Sequence, residues 1–203
     1  PPPLFSSAAS DVYKRQDGWR LDQSYQLPLE AWRNIRAAVE QASLNNKNAG
    51  KQWGTLGYMV GEVWTGADEI TATTYGSDSQ PGLSSAFNFP LRYGLVQALA
   101  VEESGASNNA RVLDAEWNSR AKSPYHAMPN LMLGNHDLVR FGDLIQRGNL
   151  GEAVKRHKAA FSFLAAYSGP ITLYYGEEIG DEVANFSDLS LIHISEPTRL
   201  TSI

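Results

Sequence analysis

Three carboxylates stand where this chain's pattern can bring them together: Asp22, Glu62 and Asp137, each at the end of a short apolar stretch. Arg20 precedes Asp22 by two residues. Side chains alternate between the faces of an extended strand, so Gly18, Arg20 and Asp22 share one face while Trp19 and Leu21 turn toward covering helices. A guanidinium beside Asp22 would hold that acid ionised through charge and hydrogen bonding, as an attacking carboxylate requires. Glu62 follows Gly61 at the end of an apolar run, where burial beside a second carboxylate is expected to raise its pKa. Two acids with pKa values driven apart suit cleavage of a glycosidic bond. One donates a proton to the leaving oxygen and the other attacks or steadies the anomeric carbon.

The elements that must carry these acids follow from periodicity. Strands are expected over Asp17–Asp22, Gly57–Trp64, Ser85–Phe89, Asn130–Gly134 and Ile171–Tyr175, each a short, largely apolar run between polar segments. Helices are expected over Pro28–Leu44, Pro90–Val101, Val112–Arg120 and Leu150–Tyr167. The first carries Leu29, Trp32, Ile35, Ala38 and Val39 at helical spacing, with Pro28 in its first turn and an exit at Asn45–Asn46. Thr65–Leu83 has only a weak helical pattern, and Ala106–Asn109 reads as a turn. Strands alternating with helices describe an α/β fold with a parallel sheet, in which all three acids reach the same C-terminal rim. A doubly wound sheet and a slice of a (β/α)8 barrel both satisfy this pattern. Neither glycine-rich phosphate-binding motif follows any strand, so nucleotide binding has no support.

The chain has 203 residues, is 42% hydrophobic and 19% charged, carries a net charge of -5 and has no cysteine. Those values exclude disulfides, thiolate catalysis and thiolate metal sites, and they disfavour a nucleic-acid partner. No run approaches the ~18 apolar residues of a membrane span. The two ends are related in an unexpected way. Asp11–Gln16 can be encoded by GATGTGTATAAGAGACAG, whose reverse complement encodes Leu189–Ile194. That string is similar to the mosaic end of a transposase-based sequencing adapter, and its usual extensions translate as Ser6–Ser10 and Ser195–Arg199. Residues 1–16 and 189–203 are therefore read as adapter-derived tails and 17–188 as the native stretch.

DGWRLD at Asp17–Asp22, GEVW at Gly61–Trp64 and GNHD at Gly134–Asp137, in this order and spacing, resemble three motifs of the alpha-amylase family, glycoside hydrolase family 13. ITLYYGEE at Ile171–Glu178 is similar to that family's last barrel strand. The resemblance implies a partial (β/α)8 TIM barrel: parallel strands four to eight with covering helices, the C-terminal part of a catalytic barrel. It implies Asp22 as nucleophile, Glu62 as general acid/base and Asp137 as a third acid gripping sugar hydroxyls. Arg20 would partner the nucleophile and His136, beside Asn135, would bind a hydroxyl. The implied reaction is hydrolysis of α-1,4-glucosidic bonds of starch or maltodextrins with retention, by double displacement. An α-glucosidase, cyclodextrinase or transglycosylase would differ only in loop contacts, and a catalytically silent carbohydrate-binding homologue usually lacks one of the three acids.

Further residues are candidates for lesser roles. Trp64, Trp53, Tyr25 and Phe141 could stack on sugar rings or pack internally, and Arg140 could meet a sugar hydroxyl or a carboxylate. His126 and His157 are expected to be structural or on the surface, His157 on a solvated face with Lys155, Arg156 and Lys158. Tyr174, Tyr175 and Glu177 are expected to pack the wall. Gln23–Gln26 departs from the small residues and Lys-His that often follow the family's nucleophile, which removes one expected calcium ligand. The chemistry needs no cofactor, and no transition-metal spacing occurs. A structural calcium in the parent would use ligands outside this stretch. An α-glucan or malto-oligosaccharide is the expected partner, with no nucleic acid, no membrane and no indication of oligomeric state. A polymer substrate favours secretion or the periplasm over the cytoplasm.

Overall fold

The computed structural model describes residues 18–51, 57–101, 105 and 107–182. Asp17, Trp53, Ala106 and the two proposed tails lie outside the described residues. The elements in order are β1 (Gly18–Leu21), a 3-10 turn (Ser24–Gln26), α1 (Leu29–Asn48), β2 (Tyr58–Gly61), α2 (Ala67–Ile70) and a π turn (Thr71–Tyr75). Then come β3 (Ser85–Ala86), α3 (Phe89–Leu99), a 3-10 turn (Ala110–Val112), α4 (Leu113–Lys122), α5 (Phe141–Gly148), α6 (Ala153–Ala166) and a 3-10 turn (Glu177–Ile179). None of the described helices is long and apolar enough to cross a membrane. The chain divides into two compact units, residues 1–63, 70–86 and 124–127 in one and the remainder in the other.

The first unit is built on a parallel sheet of order β1-β2-β3. Its register pairs Gly18 with Tyr58 and Leu21 with Gly61, and then Gly61 with Ala86. Behind the sheet, Trp32 of α1 packs with Met59 and Leu83, with Leu21 and Val39 at the margin. A second apolar cluster joins Val63, Ile70, Tyr75, Ala86 and Ala127. The expected apolar stripe of α1 is thinner than its spacing suggested: Trp32 is its one buried residue, and Ile35 and Ala38 are exposed. Trp19, expected under a helix, is also exposed. α1 also runs past the expected exit to Asn48, because carbonyls of Asn45 and Lys47 still find N–H donors at Ala49 and Gly50. Pro28 is the cap rather than the first turn.

The second unit holds the larger core, in which Leu91, Leu95, Val96, Leu131, Leu133, Phe141, Leu144, Ile145 and Leu164 are buried together. At ~1.5–3 kcal/mol per buried side chain this cluster dominates the unit's stability. Phe87 bridges Asn130 and Leu131 bridges Ile171, both parallel. The two strands expected over Asn130–Gly134 and Ile171–Tyr175 thus contribute single rungs rather than ladders. Phe89 opens α3 instead of closing a strand, because the Asn88 side chain caps the helix by accepting from the Leu91 N–H at 3.0 Å. α5 was not anticipated. His157 was misplaced: Ala153, His157, Ala160 and Leu164 form one buried stripe of α6, while Lys155 and Lys158 fall on the exposed side. Its ring packs edge-on to Phe141 and stacks with Phe161, and burial lowers its pKa.

Five charged side chains enter the second unit's interior: Arg92, Glu116, Arg140, Glu177 and Asp181. Burial pushes the Glu177 carboxyl up to about 7, against the opposing hydrogen bond from the Tyr174 N–H and the fields of Arg140 and Arg92, with Glu178 adding to the rise. Because the folded-state pKa lies above the unfolded value of 4.5, the folded chain holds a proton that the unfolded chain has lost between those pH values. Stability therefore falls as pH rises from about 4.5 to 7, by about 3 kcal/mol at ~1.4 kcal/mol per unit. Glu177→Gln in the full-length protein is expected to abolish that slope. Denaturant unfolding should show variant and parent alike near pH 4.5 and the variant about 3 kcal/mol more stable at pH 8. An equal gap at both pH values would contradict the assignment.

Candidate active site

Asp22 and Glu62 are the residues immediately after the paired Leu21 and Gly61. Parallel register therefore sets them side by side, and the backbone continues the ladder past the strands. The Glu62 N–H donates to the Leu21 carbonyl at 2.8 Å, and the Ser24 N–H donates to the Glu62 carbonyl at 2.9 Å. Gly61 is needed at this crossing, since a Cβ there would lie 2.6 Å from the Ser24 hydroxyl. Trp32 fixes the far side of the turn by donating its indole N–H to the Ser24 carbonyl at 2.8 Å.

One guanidinium joins the pair. Arg20 Nη1 donates to Asp22 Oδ1 at 2.5 Å and Arg20 Nη2 donates to Glu62 Oε1 at 2.6 Å. The other Glu62 oxygen accepts from the Gln23 N–H at 3.1 Å. Gln23 is the one non-glycine residue with positive φ among the described residues, at 41°. That left-handed geometry turns its N–H back toward Glu62. The two acids differ in access: the Asp22 side chain is 67% exposed and the Glu62 side chain 8%. Sequence reasoning assigned Arg20 to Asp22 alone and missed its bond to Glu62, together with the contributions of Gln23, Ser24 and Trp32. Tyr25 is half exposed on the same turn, with its hydroxyl 3.5 Å from Gln23 Oε1.

All the remaining candidates but His126 lie in the second unit. GNHD forms a compact turn: Asn135 Oδ1 accepts from the Asp137 N–H at 2.8 Å, and His136 Nε2 lies 3.2 Å from Asp137 Oδ2. Gly134 is required because a Cβ there would meet Glu177 Oε1 at 2.8 Å. Trp64 is 47% exposed, stacks on Phe89 with centroids 5.0 Å apart and donates its indole N–H to the Tyr93 hydroxyl at 2.9 Å. It is an oriented ring with one free face, suited to a sugar. Phe141 is fully buried and belongs to the core. Arg140 is buried as well, donating to the Tyr175 carbonyl at 2.8 Å, facing Asp181 at 3.5 Å and lying over the rings of Tyr174 and Tyr175. Of its two anticipated partners it has the carboxylate. His126 lies 3.0 Å from the Tyr75 carbonyl through Nε2. Among the described residues no group of three or more His, Cys, Asp or Glu stands where it could hold a metal ion.

Comparison with known proteins matches the chain to a family. The alpha-amylase model, "Alpha amylase, catalytic domain", matches residues 12–193. A cyclomaltodextrinase of Geobacillus thermopakistaniensis (strain MAS1) is 29% identical over 188 residues, covering 90% of this chain and 27% of its own length. An intracellular maltogenic amylase of Bacillus subtilis (strain 168) is 29% identical over 164 residues, covering 81% and 24%. The crystal structure of AmyP in complex with maltose aligns at 48% identity and a TM-score of 0.75, over 93% of this chain and 41% of that one. The α-amylase of Geobacillus thermoleovorans complexed with acarbose aligns at 25% identity and a TM-score of 0.62, over 88% and 36%. The chain thus spans about a quarter of the length of the curated relatives it matches. The family match over most of the chain, together with barrel structures among its neighbours, resolves the sheet as part of a (β/α)8 barrel rather than a doubly wound fold. The chain belongs to the alpha-amylase family, glycoside hydrolase family 13, and forms part of its catalytic domain.

Proposed function

We propose that the full-length protein is a retaining glycoside hydrolase that cleaves α-1,4-glucosidic bonds of starch or maltodextrins. The observation that carries this reading is the single Arg20 guanidinium bonded to both Asp22 and Glu62 at adjacent strand ends. A double displacement needs the two carboxyls ~5–5.5 Å apart, whereas inversion needs ~6.5–9.5 Å to admit water. Two acids tied to the two ends of one planar guanidinium suit the shorter spacing.

Asp22, the accessible member, attacks the anomeric carbon and forms a glycosyl ester as the bond to the leaving oxygen breaks. Glu62 gives its proton to that oxygen, then takes one from the water that attacks the ester, which restores Asp22 and releases the sugar. Asp137 and His136 grip hydroxyls of the sugar being cleaved, Asn135 shapes their turn, and Trp64 and Tyr25 supply faces for neighbouring rings. Names of relatives support a glucan substrate: AmyP was solved with maltose, and cyclomaltodextrinases stand among the curated matches. The latter favour a second reading within the family, hydrolysis of cyclic maltodextrins, separable by comparing kcat/KM on cyclic and linear substrates of equal length. A polymer substrate suits secretion or the periplasm.

Asp22→Asn in the full-length protein should lower kcat by at least about 1,000-fold. Glu62→Gln should lose activity on maltodextrins yet still form the ester from a maltosyl fluoride, whose leaving group needs no proton. The first product should retain the α configuration by NMR; a β product would overturn the double displacement. The 203-residue chain alone is expected to be inactive and poorly stable. β1 pairs with β2 alone among the described residues, and Trp19, Tyr58, Ile171 and Leu173 are exposed. Starch hydrolysis by the purified chain would refute that expectation.

A further inference from the structure

We propose that Arg92 is a positioning residue for Asp137, holding the turn that carries it from beneath; the inference rests on the reading of Asp137 as the third acid. Arg92 lies in α3, one turn from the Asn88 cap, and is 0% exposed in an otherwise apolar core. Its Nε donates to the Leu133 carbonyl at 3.2 Å and its Nη2 to the Val139 carbonyl at 3.4 Å. Those two carbonyls are the ends of the Gly134–Leu138 turn, so one rigid fork spans the turn's two feet. The turn needs such a support. His136 is exposed and Asp137 is partly exposed. Inside the turn the Asn135 side chain and the His136 contact orient Asp137.

The fork is itself held. The Arg92 N–H donates to the Asn88 carbonyl at 3.1 Å, and the Asn88 N–H donates to the Asn130 carbonyl at 2.8 Å, which ties α3 to the segment that leads into the turn. The guanidinium also lies 4.8 Å over the Tyr93 ring, whose hydroxyl accepts from Trp64. α3 therefore connects an acid that grips sugar hydroxyls to an aromatic face that can stack on sugar. An apolar side chain would fill the same space without burying a charge, and it would leave both carbonyls without these donors. That choice of residue is the mark of a position selected for the geometry of the turn.

The test is a double-mutant cycle in the full-length protein, with kcat and KM measured on an aryl maltoside and folding checked by circular dichroism. Arg92→Met keeps the bulk and removes the donors, and it should lower kcat/KM on the order of 100-fold. Arg92→Lys, which restores one donor, should recover part of that loss. In an Asp137→Asn background the Arg92→Met change should cost less than about threefold more, because the residue it positions is already disabled. A folded Arg92→Met protein within about twofold of the parent would overturn the proposal, as would losses that multiply in the double variant. If Arg92→Met does not fold, the same cycle is run with Arg92→Lys, and the same two outcomes decide. A parent that fails to cleave maltosides at all would instead overturn the functional reading, and this inference with it.

Discussion

Parallel pairing of Leu21 with Gly61 makes Asp22 and Glu62 the next rung, and in the state where both headgroups are ionised they would repel unless a cation stood with them. At an effective dielectric constant of 20, two unit charges roughly 5 Å apart repel by about 3 kcal/mol, whereas each gains about 4 kcal/mol from an opposite charge at 4 Å. Arg20, with contacts of 2.5 and 2.6 Å to the two carboxylates, tips the balance toward keeping them together. The effect is discounted on the Asp22 side, which is largely open to water, and greater on the Glu62 side, which is not. The side-chain period of strand β1 delivers that guanidinium to the same face as Asp22, so register and charge act in one place.

The same logic separates what was legible in the sequence from what was not. The adjacency of Asp22 and Glu62 was legible because neighbouring strand ends in a parallel sheet share a rim, and motif spacing pointed to the family. The ladder lengths were not: Ile171–Tyr175 is a short, largely apolar run as a buried strand should be, yet it forms one bridge, because pairing depends on a neighbour that the segment itself does not encode. His157 sat in a run of cations and was placed with them, although the stripe Ala153, His157, Ala160 and Leu164 was readable at helical spacing. α5 escaped notice because its apolar residues, Phe141, Leu144 and Ile145, are few and follow a polar turn. Arg92 offered one signal, a lone charge inside the apolar run of α3, and it passed unremarked.

Buried charge in the second unit raises a question of economy that the apolar core answers. Moving a guanidinium out of water costs several kcal/mol even after relaxation. Two such groups, Arg92 and Arg140, are tolerated because many buried apolar side chains, at ~1.5–3 kcal/mol each, surround them. Three of their donors are directed at main-chain carbonyls, those of Leu133, Val139 and Tyr175. All three carbonyls belong to the connections that follow buried segments. Stability generated by the interior is thereby converted into rigidity at the loops.

The left-handed Gln23 has a consequence of its own. The peptide that follows Asp22 is also the one whose N–H grips Glu62, so the headgroups are coupled through main chain and not only through Arg20. Flexing this corner would shift both members in concert, preserving their mutual distance. Replacing the flanking side chains can therefore move the corner without opening the gap between the two headgroups.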